Sequence, residues 1–190
     1  MNYLAHSLLS FSDGQLVGNM IADFIKNRDR ENFPLEIQNG IKLHRFIDSF
    51  TDANPDASKA KKIYSPLVRL YSGAFVDVSF DYFLANSMPE TELRKHSKKV
   101  YKTLWNHEKW LPQNFKRMLT NMENDDWLTN YRKNQGIKFS MQNVLNKAKY
   151  LDKDLPVFEA FLANQPLLQG SFDAFYPQLK HQAEVFSKTL

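Results

Sequence analysis

Residues 74–85, AFVDVSFDYFLA, set two carboxylates into a segment that is otherwise apolar on every side. Ala74, Phe75, Val76, Val78, Phe80, Phe83 and Leu84 surround Asp77 and Asp81. A helix that is hydrophobic all round is usually buried, and a buried carboxylate is costly unless it is paired or bound to a metal. Asp77 and Asp81 stand four residues apart, so on a helix they leave successive turns in the same direction. A partner for those carboxylates, or a divalent metal held between helices, is therefore expected.

Residues 40–56, GIKLHRFIDSFTDANPD, answer the first stretch. Leu43, Phe46, Ile47 and Phe50 recur at i, i+3, i+4 and i+7, one apolar stripe of a helix. His44 and Asp48 repeat the four-residue spacing, with Asp52 one turn further on. Upstream, Asp23 interrupts QLVGNMIADFIKN and His6 interrupts MNYLAHSLLSFSDG. Carboxylates gathered in a core repel one another and raise each other's pKa unless a cation neutralises them. Mixed imidazole and carboxylate donors suit Mn²⁺, Fe²⁺ or Zn²⁺, and Mg²⁺ where oxygen dominates. Such a metal polarises a phosphoryl oxygen and acidifies water, so a hydrolytic site between helices is expected. Blander readings stand beside this one. An aspartate in an apolar helix is more often a cap or an ion-pair partner, with Arg45 or Arg69 as the cation. A lone histidine such as His6 is more often a hydrogen-bonded core residue, and His44 and Asp48 can border the core stripe and face solvent.

The rest of the chain reads as helices. The pattern predicts a short element over 2–11, a turn at Asp13-Gly14 and a helix over 15–27. Pro34 opens the helix that carries His44 and ends near Asn54, and Pro55 opens the next, bent or broken near Pro66. Gly73 separates that helix from 74–85. Helices then follow over 90–108, 113–133 with a break at Asn124-Asp125-Asp126, 137–150 after a stop at Gly136, 156–164, and 171–188 with a kink at Pro177. Period-two alternation, a Gly-rich phosphate loop and internal repeats are all missing. The expected fold is all-α, a single compact multi-helix domain over residues 1–190, a length that suffices for a substantial core.

Composition removes several function classes. The chain has no Cys, which excludes disulfides, thiolate-bound zinc, iron–sulfur clusters and a cysteine nucleophile. It has no run of about 18 apolar residues, so no membrane span is expected. The N-terminus lacks a basic region ahead of its apolar run and reads as structure rather than a signal peptide, so a cytoplasmic protein is expected. A net charge of +4 favours an anionic partner. Arg94, Lys95, Lys98, Lys99 and Lys102 lie along one helix, and Lys26, Arg28, Arg30, Lys42, Arg45, Lys59, Lys61 and Lys62 form a second basic group. Nucleic-acid-binding motifs are missing, so nucleic acid is not the expected partner.

In order along the chain, NYLAHSLLS, GNMIADFIK, GIKLHRFIDSFTDANP and VDVSFDYFLA resemble the bacterial acyl carrier protein phosphodiesterase family. WLPQNFKRMLTNMENDDWLTNY and QGIKF extend the likeness to at least residue 138. The family is regarded as a divergent branch of the HD-type metal-dependent phosphohydrolases, so the resemblance implies an HD-like helical fold and a divalent metal, typically Mn²⁺. It implies hydrolysis of the phosphodiester that joins 4′-phosphopantetheine to a serine of holo-acyl carrier protein, an acidic partner that suits a basic surface. On the matching positions it implies Asp23, His44, Asp48 and Asp77 as metal ligands. Asp81 would be a further ligand or the acceptor that orients a ligating histidine. His6 would protonate the leaving serine oxygen or contact the phosphate, and Asp52 would cap or orient its helix. Arg45 and Arg69 are candidate substrate contacts. Two other readings stay open: an HD-type hydrolase of a nucleotide or other small phosphoester, and a non-catalytic binder of an acidic protein.

One position departs from the pattern. Where the family commonly has histidine after the last aspartate, residue 82 is Tyr. If that histidine binds metal or phosphate, metal preference, substrate and activity come into question. If it only supports a ligand, the Tyr82 hydroxyl can still donate a hydrogen bond and serve as a substrate contact.

Overall fold

Capping and close backbone approach, more than helix propensity, decide where the helices that carry the histidine and aspartate motifs begin and end. The computed structural model describes all 190 residues as eleven α-helices joined by loops and 3-10 turns. Helix α1 spans Tyr3–Leu8 and α2 spans Asp13–Ile21. The Ser12 hydroxyl accepts the Gln15 N–H, so Asp13 and Gly14, expected as a turn, are instead the first turn of α2. The helix expected to run to residue 27 stops at Ile21, and Asp23 rides on a 3-10 turn over Ala22–Phe24.

Helix α3 covers Leu35–Ala53, with Pro34 just outside it, and α4 covers Pro55–Val68. Between them the Asn54 side chain accepts the N–H groups of Asp56 and Ala57 and restarts the helix. Pro66 sits in the last turn of α4 without breaking it. The chain then reverses at Arg69, whose φ of 49° is left-handed, and enters α5, Ser72–Asn86. Gly73 therefore lies inside α5 rather than before it.

Helices α6 (Glu90–Asn106), α7 (Gln113–Asn124), α8 (Trp127–Asn130), α9 (Asn134–Lys147), α10 (Val157–Ala163) and α11 (Gln165–Ser187) complete the chain. The break expected at residues 124–126 is present, with Asp126 at a φ of 42°. Gly136, expected as a stop, lies in the first turn of α9, where any side chain would run into the Asn130 carbonyl oxygen. Gly170 and Pro177 both fall within α11. The architecture is all-α, with no strand. None of the helices is long and apolar enough to cross a membrane.

Every helix contributes to one contiguous apolar cluster. Helix α5 runs through its middle, where Phe80 packs on Phe172 and Phe175 of α11 and Phe83 packs on Phe172 and on Phe161 of α10. Helices α2 and α3 cross at Gly18 and Gly40. A Cβ on Gly18 would collide with the Ile37 carbonyl oxygen, and one on Gly40 with the Gln15 carbonyl oxygen. Only glycine permits that approach of two backbones. The crossing holds the end of α2, and with it Asn19 and Asp23, directly against His44.

Candidate metal centre

Four separate parts of the chain deliver side chains to one cleft of about 430 Å³. His6 comes from α1, Asn19 and Asp23 from α2 and the turn after it, His44 and Asp48 from α3, and Asp77 from α5. The His6 and His44 rings stack with centroids 4.2 Å apart. Asp48 lies between their far nitrogens, with Oδ1 3.3 Å from His6 Nε2 and Oδ2 3.0 Å from His44 Nε2. Asp23 Oδ1 is 3.2 Å from the same His44 nitrogen. The nearest donor atoms of His6, His44 and Asp48 fall within 4.8 Å of one another, close enough to hold a metal ion.

Asn19 sets both imidazoles. His6 Nδ1 donates to Asn19 Oδ1 at 2.7 Å, and His44 Nδ1 donates to the Asn19 backbone oxygen at 2.8 Å. The Asn19 amide donates in turn to the His6 carbonyl and to the Ser10 hydroxyl. With each Nδ1 committed as a donor, each Nε2 is left facing the cleft, the arrangement by which neighbouring groups orient ligating histidines. His6 Nε2 then meets only oxygens: Asp48 Oδ1, and the Met1 carbonyl at 3.2 Å. A neutral imidazole presents a lone pair there, and a lone pair facing two acceptors calls for a cation between them. The donor set therefore fits a divalent metal.

Charges in the cleft are coupled. Burial opposes protonation of His44, but its hydrogen bonds to Asp23 and Asp48 outweigh that and raise its pKa to about 9. Burial lowers the pKa of His6, against the pull of Asp48. Asp48 is held well below the usual carboxylate range, because the hydrogen bond from His44, with a further contribution from the adjacent His6 ring, overcomes the effect of its burial. The His44 hydrogen bond is the main cause of the low pKa of Asp23. No lysine or arginine pairs with Asp23, Asp48 or Asp77. Asp77 instead accepts the Met1 ammonium at 2.9 Å, and that ammonium lies 4.0 Å from Asp48. Asp52 reaches the cleft but is neutralised by Lys61 at 2.7 Å.

Four expected site residues lie elsewhere. Asp81 is fully buried behind α1, where its carboxylate accepts the N–H groups of Leu4 at 2.8 Å and Ala5 at 3.3 Å. It ties the first turn of α1 to α5 and does not line the cleft. Arg45 donates to Asn27 on the outer surface. Arg69 occupies the left-handed turn between α4 and α5. Neither borders the cleft. The Tyr82 ring packs edge-on against Phe83 and Phe161, facing α10 rather than the histidines.

Sequence reasoning missed Asn19, although it stands four residues before Asp23 in an apolar run, the same spacing that singled out the other pairs. It also missed the Met1 ammonium, which carries no side-chain signature, and Ser140, Asn143 and Lys147 of α9, which line the same cleft.

Known proteins resemble this chain over nearly its whole length. A family profile described as acyl carrier protein phosphodiesterase matches residues 1–179. A Yersinia pestis protein named acyl carrier protein phosphodiesterase is 29% identical over 189 residues, covering 97% of this chain and 98% of its own. Proteins of the same name from an Enterobacter species and from Escherichia coli O6:H1 are 28% and 27% identical, and each match spans at least 96% of both chains. No solved structure gives a significant match. The histidine and aspartate positions that build the cleft all fall within the matched segment, and the chain belongs to the acyl carrier protein phosphodiesterase family.

Proposed function

We propose that this protein hydrolyses the phosphodiester between 4′-phosphopantetheine and the serine of holo-acyl carrier protein, releasing apo-carrier protein and 4′-phosphopantetheine. The observation that carries the metal-dependent part of this reading is the pair of stacked histidines whose Nδ1 atoms are both committed to Asn19. His6, His44 and Asp48 would hold a divalent cation, Mn²⁺ by the family's habit, with Asp23 and Asp77 as additional carboxylate ligands. The bound cation would supply Lewis acidity to a phosphoryl oxygen and lower the pKa of an attacking water.

The chain's own groups then divide the work. Asn19 fixes the tautomer and aim of both imidazoles. In this reading His6 serves as a ligand, with its Nδ1 proton held by Asn19 and its Nε2 turned toward Asp48. Asp48 sets one carboxylate oxygen beside each Nε2, so the cation would be shared among all three side chains. The Met1 ammonium offsets the negative charge of Asp77 at the edge of the cleft. Arg94, Lys95, Lys98, Lys99 and Lys102 are exposed on α6 and would attract an acidic carrier protein.

Incubation of the purified protein with holo-carrier protein and Mn²⁺, followed by intact-mass analysis, tests the proposal. Loss of the prosthetic group is the expected result. An unchanged carrier mass, with a known hydrolase active under the same conditions, rejects it.

A further inference from the structure

Helix α9 turns a stripe of unpartnered polar groups into the cleft that holds the histidines. Ser140, Asn143, Val144 and Lys147 all line it, and their i, i+3, i+4, i+7 spacing puts them on one face. The stripe is about 10 Å long at the helical rise of 1.5 Å per residue. Ser140 and Asn143 are half-buried, yet neither side chain forms a hydrogen bond within the protein. Lys147 forms no ion pair and is the one lysine or arginine lining the cleft. Trp127 of α8 and Tyr131, the residue just after that helix, continue the wall with aromatic surface. Half-buried polar groups in a concave site that bond to nothing in their own chain are suited to bonding a ligand.

We infer that this α8–α9 wall is the subsite for the pantetheine arm of the substrate, with Lys147 holding its phosphate charge; the inference rests on the reaction proposed above. The arm carries two secondary amides, a hydroxyl and a gem-dimethyl group. The Asn143 carboxamide offers one acceptor and two donors, which match a secondary amide in either direction, and the Ser140 hydroxyl can donate or accept. Val144 and the two aromatic rings give the dimethyl group and the methylenes an apolar surface. The metal-capable group recognises only a phosphodiester, which many molecules contain. Discrimination in favour of the pantetheine ester therefore falls to this wall, since half-buried polar groups that a bound ligand covers and leaves unpaired penalise one without matching amides.

The test compares the unaltered protein with Ser140→Ala/Asn143→Ala, Ser140→Thr/Asn143→Gln and Lys147→Ala. Two readouts are used: KM and kcat on holo-carrier protein with Mn²⁺, and calorimetric binding of free 4′-phosphopantetheine and of pantetheine. The double alanine variant is expected to raise KM and weaken 4′-phosphopantetheine binding by about tenfold, the loss of one or two net hydrogen bonds. Its kcat should stay within about twofold, and the Thr/Gln variant should recover much of the affinity. Lys147→Ala should weaken 4′-phosphopantetheine and leave pantetheine, which lacks the phosphate, unaffected. Unaltered KM and affinity in the double alanine variant overturn the arm subsite while leaving the reaction standing. An equal loss for both ligands removes Lys147 from the phosphate. If the unaltered protein cleaves nothing but binds 4′-phosphopantetheine, and the double alanine variant does not bind it, the subsite holds and the reaction assignment falls. Neither cleavage nor binding overturns both.

Discussion

His6 and His44 reach the cleft from different helices, yet both hand their Nδ1 proton to a single residue, Asn19, through its side-chain oxygen and its backbone oxygen respectively. The two imidazoles are therefore positioned as a unit. A change at Asn19 is felt by two donors at once, and a change at either histidine leaves the other oriented.

Asn19→Ala removes the acceptor that orients His6 and leaves the backbone acceptor of His44 in place. Metal affinity is expected to fall about 10- to 100-fold, the usual cost of deleting a group that orients a ligand. His44→Ala and Asp48→Ala each remove a donor outright and should abolish stoichiometric metal and carrier hydrolysis. Elemental analysis of protein purified without chelators, paired with circular dichroism to show an intact fold, decides the matter. Full metal content in Asp48→Ala would break the proposed centre.

Asp77→Ala is expected to lose metal and activity with the fold preserved. The structure adds a second consequence, since the variant also strips the Met1 ammonium of its closest partner. Unchanged turnover in this variant would remove Asp77 from the site.

Asp81→Asn tests an anchor rather than a ligand. Burial raises the Asp81 pKa to about 7, even though two backbone N–H groups favour the ionised form. The folded protein therefore holds this proton more tightly than the unfolded chain, whose aspartate titrates near about 4. The stabilisation is fully present below about pH 4 and is lost as pH rises through 7. Asn keeps one oxygen but sets an N–H₂ against the second donor, costing about 1–3 kcal/mol. The fall in melting temperature between pH 5 and pH 8 should shrink in the variant. Identical pH slopes would contradict this account of Asp81.

Tyr82→His tests the position at which the sequence departs from the pattern the resemblance implies. Because the Tyr82 ring packs on Phe83 and Phe161 and does not border the cleft, metal content and kcat are expected to stay within about twofold of the unaltered protein. A large gain in activity would show that position 82 reaches the chemistry after all.

Much of the fold was legible because the carriers of the signal were local. The apolar stripe of Leu43, Phe46, Ile47 and Phe50 and the Asn54-Pro55 boundary depend on residues within a turn or two of one another. The misreadings share a different cause. Gly14 and Gly136 looked like breaks, but each is a helical residue with another part of the chain close above it: Glu36 over Gly14 and Asn130 over Gly136. Contact across the fold, invisible to periodicity, overrides the local preference of glycine.

The four-residue spacing singled out His44 with Asp48, the apolar surroundings singled out Asp23 and Asp77, and all four side chains line one cleft. The same reasoning could not separate Asp77 from Asp81. Both interrupt one apolar helix, and only the docking of α1 shows that the Asp81 side chain ends on the Leu4 and Ala5 amides while Asp77 opens on the cleft. Arg45 and Arg69 were plausible partners for a buried carboxylate by charge alone. In the folded chain the charge beside Asp77 comes from the chain terminus, for which no residue type could have been a sign.

The crossing at Gly18 and Gly40 has a consequence for how the centre withstands change. Main chain rests on main chain there, so the spacing between the Asn19 segment and His44 is set by atoms that every residue type shares. Repacking of the neighbouring aliphatic side chains can soften or stiffen the molecule without altering the reach between those two residues. Such a hinge-free joint lets the surrounding sequence drift while the donors stay in register, and it concentrates vulnerability in two positions that have no side chain at all.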